Sequence, residues 1–264
     1  MAAVKLEYTT DDTNFNSIVP SVSAALKTYS WKVPDSISKT VKVRISNLSD
    51  PTGVKDLSDS NFKIVGTLTL ISPAGGEVWP VGSQQAISWA RGGSIANVKI
   101  EISTNGGSIW STIEDSVPAA QGSIQYTIPD LISPAVVVRV SDVLEPDVYA
   151  QNTINVKIRG DLVLTAPAGG EIWLINSAEF IKWTRFGSIS NAKLEYSVNA
   201  GVAWSTITTV TASLEKYQWS IPDNPTLQGR IRVSDASDPT VYDDSANFVI
   251  RGGFVITSPN LGTE

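Results

Sequence analysis

The chain has 264 residues, 42% of them hydrophobic, with 26 acidic and 20 basic side chains and a formal net charge of −6. The charges are spread along the chain, which argues against the concentrated basic face of a nucleic-acid binder, and no run approaches the roughly 18–20 apolar residues of a membrane span. Cysteine and histidine are absent, which removes thiol nucleophiles, Ser-His and Cys-His dyads, the usual zinc sites, disulfides and proton transfer by imidazole.

At the N-terminus, Met1–Thr10 shows no basic segment followed by an apolar one, so no export signal is read there. Val4-Lys5-Leu6-Glu7-Tyr8 then alternates apolar and polar residues, the pattern of a half-buried strand. Further on, short β-rich runs at 67–71, 84–89, 98–103, 109–113, 123–128, 136–141 and 152–158 are separated by Gly, Pro, Asn and Asp. The alternation is clearest in Val98-Lys99-Ile100-Glu101-Ile102-Ser103, where Lys99, Glu101 and Ser103 are expected to face outward, and it recurs at Ala192–Ser197. No stretch has helical periodicity.

These runs belong to a repeat. Ser72-Pro73-Ala74-Gly75-Gly76-Glu77-Val78-Trp79 returns as Ala166-Pro167-Ala168-Gly169-Gly170-Glu171-Ile172-Trp173, an offset of 94 residues from Pro73 to Pro167. Ile87-Ser88-Trp89 returns as Ile181-Lys182-Trp183, and Tyr126-Thr127-Ile128-Pro129-Asp130 as Trp219-Ser220-Ile221-Pro222-Asp223. Val4–Tyr8 and Trp31-Lys32-Val33-Pro34-Asp35 belong to an earlier copy, and Phe254-Val255-Ile256-Thr257-Ser258-Pro259 matches Leu68–Pro73. The domains expected are an incomplete repeat at 1–65 without its first strands, whole repeats at 66–159 and 160–252, and the opening strand of another at 253–264. About seven short strands in each whole repeat predict an all-β chain of tandem immunoglobulin-like, fibronectin III-like β-sandwiches.

Two motifs carry resemblances. Ser103-Thr104-Asn105-Gly106-Gly107-Ser108-Ile109-Trp110 and its twin Ser197–Trp204 resemble the Asp-box of sialidases, with Asn in place of Asp. In that family the box is structural, and here it implies a tight hairpin anchored by its Trp; a propeller would repeat at about half this period. The Pro-Ala-Gly-Gly-Glu-(Val/Ile)-Trp segment, this hairpin and the (Trp/Tyr)-x-(Val/Ile)-Pro-Asp strand end together resemble the Ser-Thr-rich glycosylphosphatidylinositol-anchored domain family. That module is shared with the N-terminal part of yeast cell-wall β-1,6-glucan assembly proteins. The resemblance covers both whole repeats and most of the first. It implies an extracellular sandwich with a surface or wall role, and it brings no catalytic residues. No Ser/Thr-rich tail or anchor signal is read in the sequence.

All eight tryptophans fall into repeat-equivalent sets: Trp31 with Trp219, Trp79 with Trp173, Trp89 with Trp183 and Trp110 with Trp204. Packing in cores and hairpins is their expected role, with sugar stacking along the array as the alternative. Arg44, Arg139 and Arg232 are expected to pair across strands with Glu7, Glu101 and Glu195. Acidic residues cluster in the following loop: Asp142, Glu145 and Asp147 in one repeat, and Asp235, Asp238, Asp243 and Asp244 in the next. A solvated acidic loop is the main reading; the last four are weak calcium candidates, and no other metal, cofactor or catalytic residue is expected.

Very short linkers, Ile64-Val65-Gly66 and Ile158-Arg159-Gly160, predict restricted bending between repeats. The incomplete first repeat should expose a sheet edge, and Phe254, Val255 and Ile256 are the candidate strand to fill it in another molecule; an excerpt of a longer repeat protein would have the same ends. The expected function is a non-enzymatic extracellular or cell-surface module: a stalk, surface-layer or filament segment of a microbial envelope. Its expected partners are copies of itself, neighbouring repeats of a longer chain, or wall and surface polysaccharide. The alternative is a carbohydrate-binding repeat array. Neither nucleic-acid binding nor membrane insertion is expected.

Overall fold

The computed structural model describes residues 2–254, so Val255 and Ile256 lie outside the described residues. The chain is all-β; the described residues form short strands and three single-turn 3-10 segments. The first repeat supplies β1 (Ala3–Thr9), β2 (Phe15–Ser23), β3 (Ser38–Asn47), β4 (Asp50–Leu57) and β5 (Phe62–Ile64). The second supplies β6 (Thr67–Ser72), β7 (Val78–Pro80), β8 (Gln84–Gly92), β9 (Asn97–Ser103) and β10 (Ser111–Pro118). It continues with β11 (Ser123–Thr127), β12 (Ser133–Asp142), β13 (Tyr149–Gln151) and β14 (Val156–Arg159). The third runs from β15 (Asp161–Ala166), β16 (Ile172–Leu174), β17 (Ala178–Phe186) and β18 (Asn191–Ser197) to β19 (Ser205–Thr211). It ends with β20 (Lys216–Ser220), β21 (Thr226–Asp235), β22 (Tyr242–Asp244) and β23 (Phe248–Arg251). The fold class is that of tandem immunoglobulin-like β-sandwiches, and the five strands β1–β5 form a single sheet.

Tertiary contacts divide the chain into two compact units, and the division runs through the second repeat. One unit extends to Gly76 and takes in Ala86–Gln125 and Val136–Asn155; the other comprises Glu77–Gln85, Tyr126–Ala135 and the chain from Val156 onward. Each junction between consecutive repeats therefore lies inside one unit.

In the first unit, β2, β1, β3 and β4 form an antiparallel sheet, with β5 also on β3. Its core is small: Tyr8, Val41 and Ile64, flanked by Ile18, Trp31 and Val43. The strands β10, β9, β12 and β13 pair antiparallel in the same order, and β6 pairs antiparallel with β8 from Thr67↔Gly92 to Ser72↔Ser88.

The second unit holds the whole third repeat. One sheet is β15-β17-β20; the other is β16-β23-β21-β18-β19, with β22 on β21. Alternate residues of β17, β18 and β21 turn inward because a strand reverses its side chains at every step. The core gathers Trp173, Trp183, Trp219, Ile181, Leu194, Ile231, Val233 and Phe248, and most of its members are nearly inaccessible to solvent. Trp173 packs on Phe248 at 4.5 Å between ring centroids. The parallel pairs β14–β7 and β16–β23 are built in matching register, Ile158 opposite Trp79 and Ile250 opposite Trp173.

Candidate functional site

Two layers recur from repeat to repeat outside the cores. The first is a ladder of charge and aromatic faces on the outer side of the larger sheets. Register places Glu7 opposite Arg44, Glu101 opposite Arg139 and Glu195 opposite Arg232. In the first two, the guanidinium donates to Oε2 through Nε at 3.1 Å and Nη2 at 2.7 Å, and a lysine, Lys5 or Lys99, holds Oε1. An aromatic ring lies under each guanidinium: Phe15 at 3.5 Å from Arg44, Trp110 at 4.1 Å from Arg139 and Trp204 at 4.4 Å from Arg232. This layer buries Glu7 and Glu101 although their strand positions face outward. Burial alone would push both carboxyls up; the hydrogen bonds from Lys5 and Lys99, then from Arg44 and Arg139, outweigh it and hold them below the ordinary value.

The third repeat departs from this pattern. Arg232 makes a two-pronged pair with Asp244, Nε to Oδ1 at 2.7 Å and Nη2 to Oδ2 at 2.8 Å, and Glu195 takes Lys193 at 2.6 Å. Asp244 stands opposite Arg232 on β22, where Leu57 and Gln151 stand opposite Arg44 and Arg139. A carboxylate that matches the planar guanidinium fork there displaces the expected Glu195 partner.

The second layer is the joint between repeats. Ser94 donates both its backbone N–H and its hydroxyl to Asp35 Oδ1, each at 2.9 Å. Ser188 repeats this with Asp130 Oδ1 at 2.9 and 3.0 Å. Asp35 and Asp130 end the Pro-Asp corner of one repeat, and Ser94 and Ser188 sit in the Gly-Ser-Ile turn of the next. That turn needs a left-handed residue, supplied by Gly93 at φ 80° and Gly187 at φ 78°. Its apolar member, Ile95 or Ile189, is buried, and Arg91 and Arg185 donate to the Ile95 and Ile189 carbonyls.

A charge pair closes each joint further round. Lys63 meets Glu145 Oε1 at 2.7 Å, with Lys39 at 3.3 Å from Oε2, and Lys157 meets Asp238 Oδ2 at 2.5 Å. The Lys63 hydrogen bond holds the Glu145 carboxyl below its ordinary value, and the same contact raises Lys63. Burial would raise Asp238, but hydrogen bonds from Lys157 and Thr240 lower it.

The calcium candidates are not brought together. Asp235 accepts the Ser237 N–H, Asp238 takes Lys157 and Thr240, Asp243 accepts the N–H groups of Leu164 and Asp244, and Asp244 holds Arg232. Among the described residues no three acidic side chains converge as metal ligands. Two backbone caps, a joint and a guanidinium have claimed the four carboxylates separately. Phe254, the described member of the candidate donor strand, is fully exposed.

Trp79, Trp89, Trp173, Trp183 and Trp219 are buried, and Trp31, Trp110 and Trp204 are partly covered. The hairpins form as read: Ser103 Oγ accepts from the Asn105 and Gly107 N–H groups while Asn105 Oδ1 accepts from Ile109 N–H, and Ser197 with Asn199 does the same. The equivalent turn of the first repeat has Asp11, which accepts from the Thr13 and Asn14 N–H groups. Sequence reasoning missed the joints; the signal available was the recurrence of Asp35 as Asp130 and of Gly93-Ser94 as Gly187-Ser188.

No family model and no curated protein matches the chain. Among solved structures it is similar to the fibronectin(III)-like modules of Clostridium thermocellum CbhA, at 19% identity over 70% of this chain and 94% of that one, with a TM-score of 0.27. It is also similar to the N-terminal four Ig domains of Dscam1 isoform 6.44, at 8% identity and a TM-score of 0.36, covering 95% of this chain and 66% of that one. Isoform 6.9 gives 7% identity and a TM-score of 0.34, covering 94% and 66%. Among the described residues no helix is long and apolar enough to cross a membrane.

Proposed function

We propose that the chain is a non-enzymatic structural and interaction module, a stalk, surface-layer or filament segment of a microbial cell envelope. The observation that carries this reading is the joint: the same aspartate–serine lock and the same lysine–carboxylate pair occur at both junctions. A spacer needs repeats that hold their orientation, and two independent polar contacts on a short linker restrict it more than either alone. The acidic side chains support a non-catalytic role, since those of the ladder, Glu145 and Asp238 are tied to cations and Asp35 and Asp130 to serines. Wall association, suggested by the family resemblance, is part of the proposal.

Residual dipolar couplings test the reading. Repeats flanking a joint should share one alignment tensor; separate tensors at both joints would remove the spacer function. A polysaccharide-binding array is the second reading. It is favoured by Tyr149 and Tyr242, half exposed at equivalent positions beside Arg139 and Arg232. Titration with wall glucans that shifts the resonances of these tyrosines would support it.

Self-assembly belongs to the same proposal, and the fold refines what it requires. The segment starting at Phe254 corresponds in sequence to β6, which takes its ladder bonds from β8. Among the described residues no strand of the first repeat takes the place of β8.

A further inference from the structure

We infer that a cavity on the outer face of β9, β10, β12 and β13 binds an amino sugar, with Asp115 and Asp147 taking its ammonium and Tyr149 its ring. The inference rests on the polysaccharide-binding reading and names the sugar chemistry that one repeat would select.

The cavity measures about 400 Å³, room for a small organic ligand, and is lined by Lys99, Asp115, Arg139, Ser141, Asp147 and Tyr149. Both of its cations are engaged, since Glu101 holds Lys99 through Oε1 and Arg139 through Oε2. Among the described residues neither Asp115 nor Asp147 has an ion pair or a side-chain hydrogen bond. Asp147 adds to the field at Lys63, but that ammonium is bonded to Glu145. The cavity therefore keeps a surplus of negative charge. No three acidic side chains converge as metal ligands among the described residues, so a molecular cation suits the two carboxylates better than an ion.

The second repeat alone assembles this set. Between Glu114↔Ile100 and Val117↔Val98 the register shifts, so Asp115 and Ser116 together face Lys99. A bulge of this kind re-aims a side chain. In the third repeat Thr208, Thr209 and Val210 face Leu194, Lys193 and Ala192 one for one. The repeat offset is accordingly 94 at Ser111 and Ser205 but 93 at Val117 and Val210, and Thr209 and Thr240 stand for Asp115 and Asp147. The first repeat has the bulge with Pro20 in it, and Lys55 stands opposite Ser46 where Tyr149 stands opposite Ser141.

Two further groups point to a sugar rather than a plain amine. Ser141 is 5% exposed, and its hydroxyl has no hydrogen-bond partner in the described structure yet is not sealed from the cavity. A ligand hydroxyl would complete it. Tyr149 is 50% exposed, with the Arg139 guanidinium 5.7 Å from its ring; the free ring surface suits the C–H face of a sugar.

The probe is a glucosamine oligomer, titrated into the full chain and followed by amide and tyrosine-ring shifts. The N-acetylated oligomer, a neutral glucan oligomer of the same length and a lysine-rich peptide are run beside it. Expected are saturable shifts at Asp115, Ser141, Asp147 and Tyr149 but not at Tyr242, with the three comparison ligands about ten-fold weaker. Asp115→Asn and Asp147→Asn should each weaken glucosamine binding about ten-fold, with the rest of the spectrum unchanged as the folding control. Equal binding of the N-acetylated oligomer, full binding by both variants, or equal shifts at Tyr242 would overturn the inference. A lysine-rich peptide that binds as tightly would assign the cavity to a protein partner and would also overturn it. Neutral glucan binding at Tyr149 and Tyr242 alike would sink the amino-sugar site and leave the polysaccharide reading standing, whereas no binding of any sugar at millimolar concentration would remove both.

Discussion

Replacing Lys157 with alanine asks whether a joint opens as one unit. Lys157 pairs with Asp238 at 2.5 Å, its side chain 35% exposed and that of Asp238 22% exposed. A pair this accessible contributes on the order of 0.5–1 kcal/mol, which corresponds to a roughly two- to five-fold change in an equilibrium constant. The Ser188 amide, bonded to Asp130 Oδ1 at 2.9 Å, belongs to the other half of the same joint and reports on its opening. If the two contacts break together, Lys157→Ala raises the open population and the Ser188 amide exchanges about two- to five-fold faster in the regime where exchange follows the opening equilibrium. The assay is native-state hydrogen exchange by NMR, with Ser94 at the other joint as the internal control. Ser188 exchange unchanged within 1.5-fold (about 0.2 kcal/mol) would show that the lock and the charge pair act independently, which would remove the cooperative joint.

Four further outcomes are expected. Trp183→Ala should destabilise the third repeat by about 3–5 kcal/mol in urea denaturation, since it empties the centre of the core and takes the indole donor from Ala212. Ser197→Ala should cost about 1–2 kcal/mol in the same assay, because its buried hydroxyl caps two backbone N–H groups of the hairpin. The Glu145 carboxyl is lowered by Lys63, so its contribution is present above the unfolded pKa and is lost as pH falls through the folded one. Acid should therefore speed Ser94 amide exchange beyond the intrinsic rate change, and Glu145→Gln should flatten that dependence. Millimolar calcium should leave the melting temperature unchanged, because Asp235, Asp238, Asp243 and Asp244 each have a different partner.

The architecture was legible because strand alternation and turn residues are local, and because three copies of one pattern in one chain substitute for comparison with other proteins. The buried state of Glu101 was not: alternation places it outward, and its cover of Lys99, Arg139 and the Trp110 ring under Arg139 is assembled from separate segments. Strand alternation sets Glu195 opposite Arg232, as the register has it, but does not show that the β21–β22 pairing brings Asp244 to the same guanidinium. The joints escaped notice because Pro-Asp and Gly-Ser are ordinary loop residues whose meaning lies in a contact 59 residues apart for Asp35–Ser94 and 58 for Asp130–Ser188. The acidic loops were read as a group from proximity in sequence, whereas backbone caps and cations draw their carboxylates in different directions.

The lock has a direction. The second repeat carries both halves, its aspartate acceptor Asp130 at the corner leading out and its Ser94 donor at the turn leading in. An extra copy spliced in whole would thus meet a matching neighbour on either side, so the array can grow by unequal recombination without inventing a new interface. A repeat inserted in part, or one whose serine has drifted, would leave a loose link at one known place in the string.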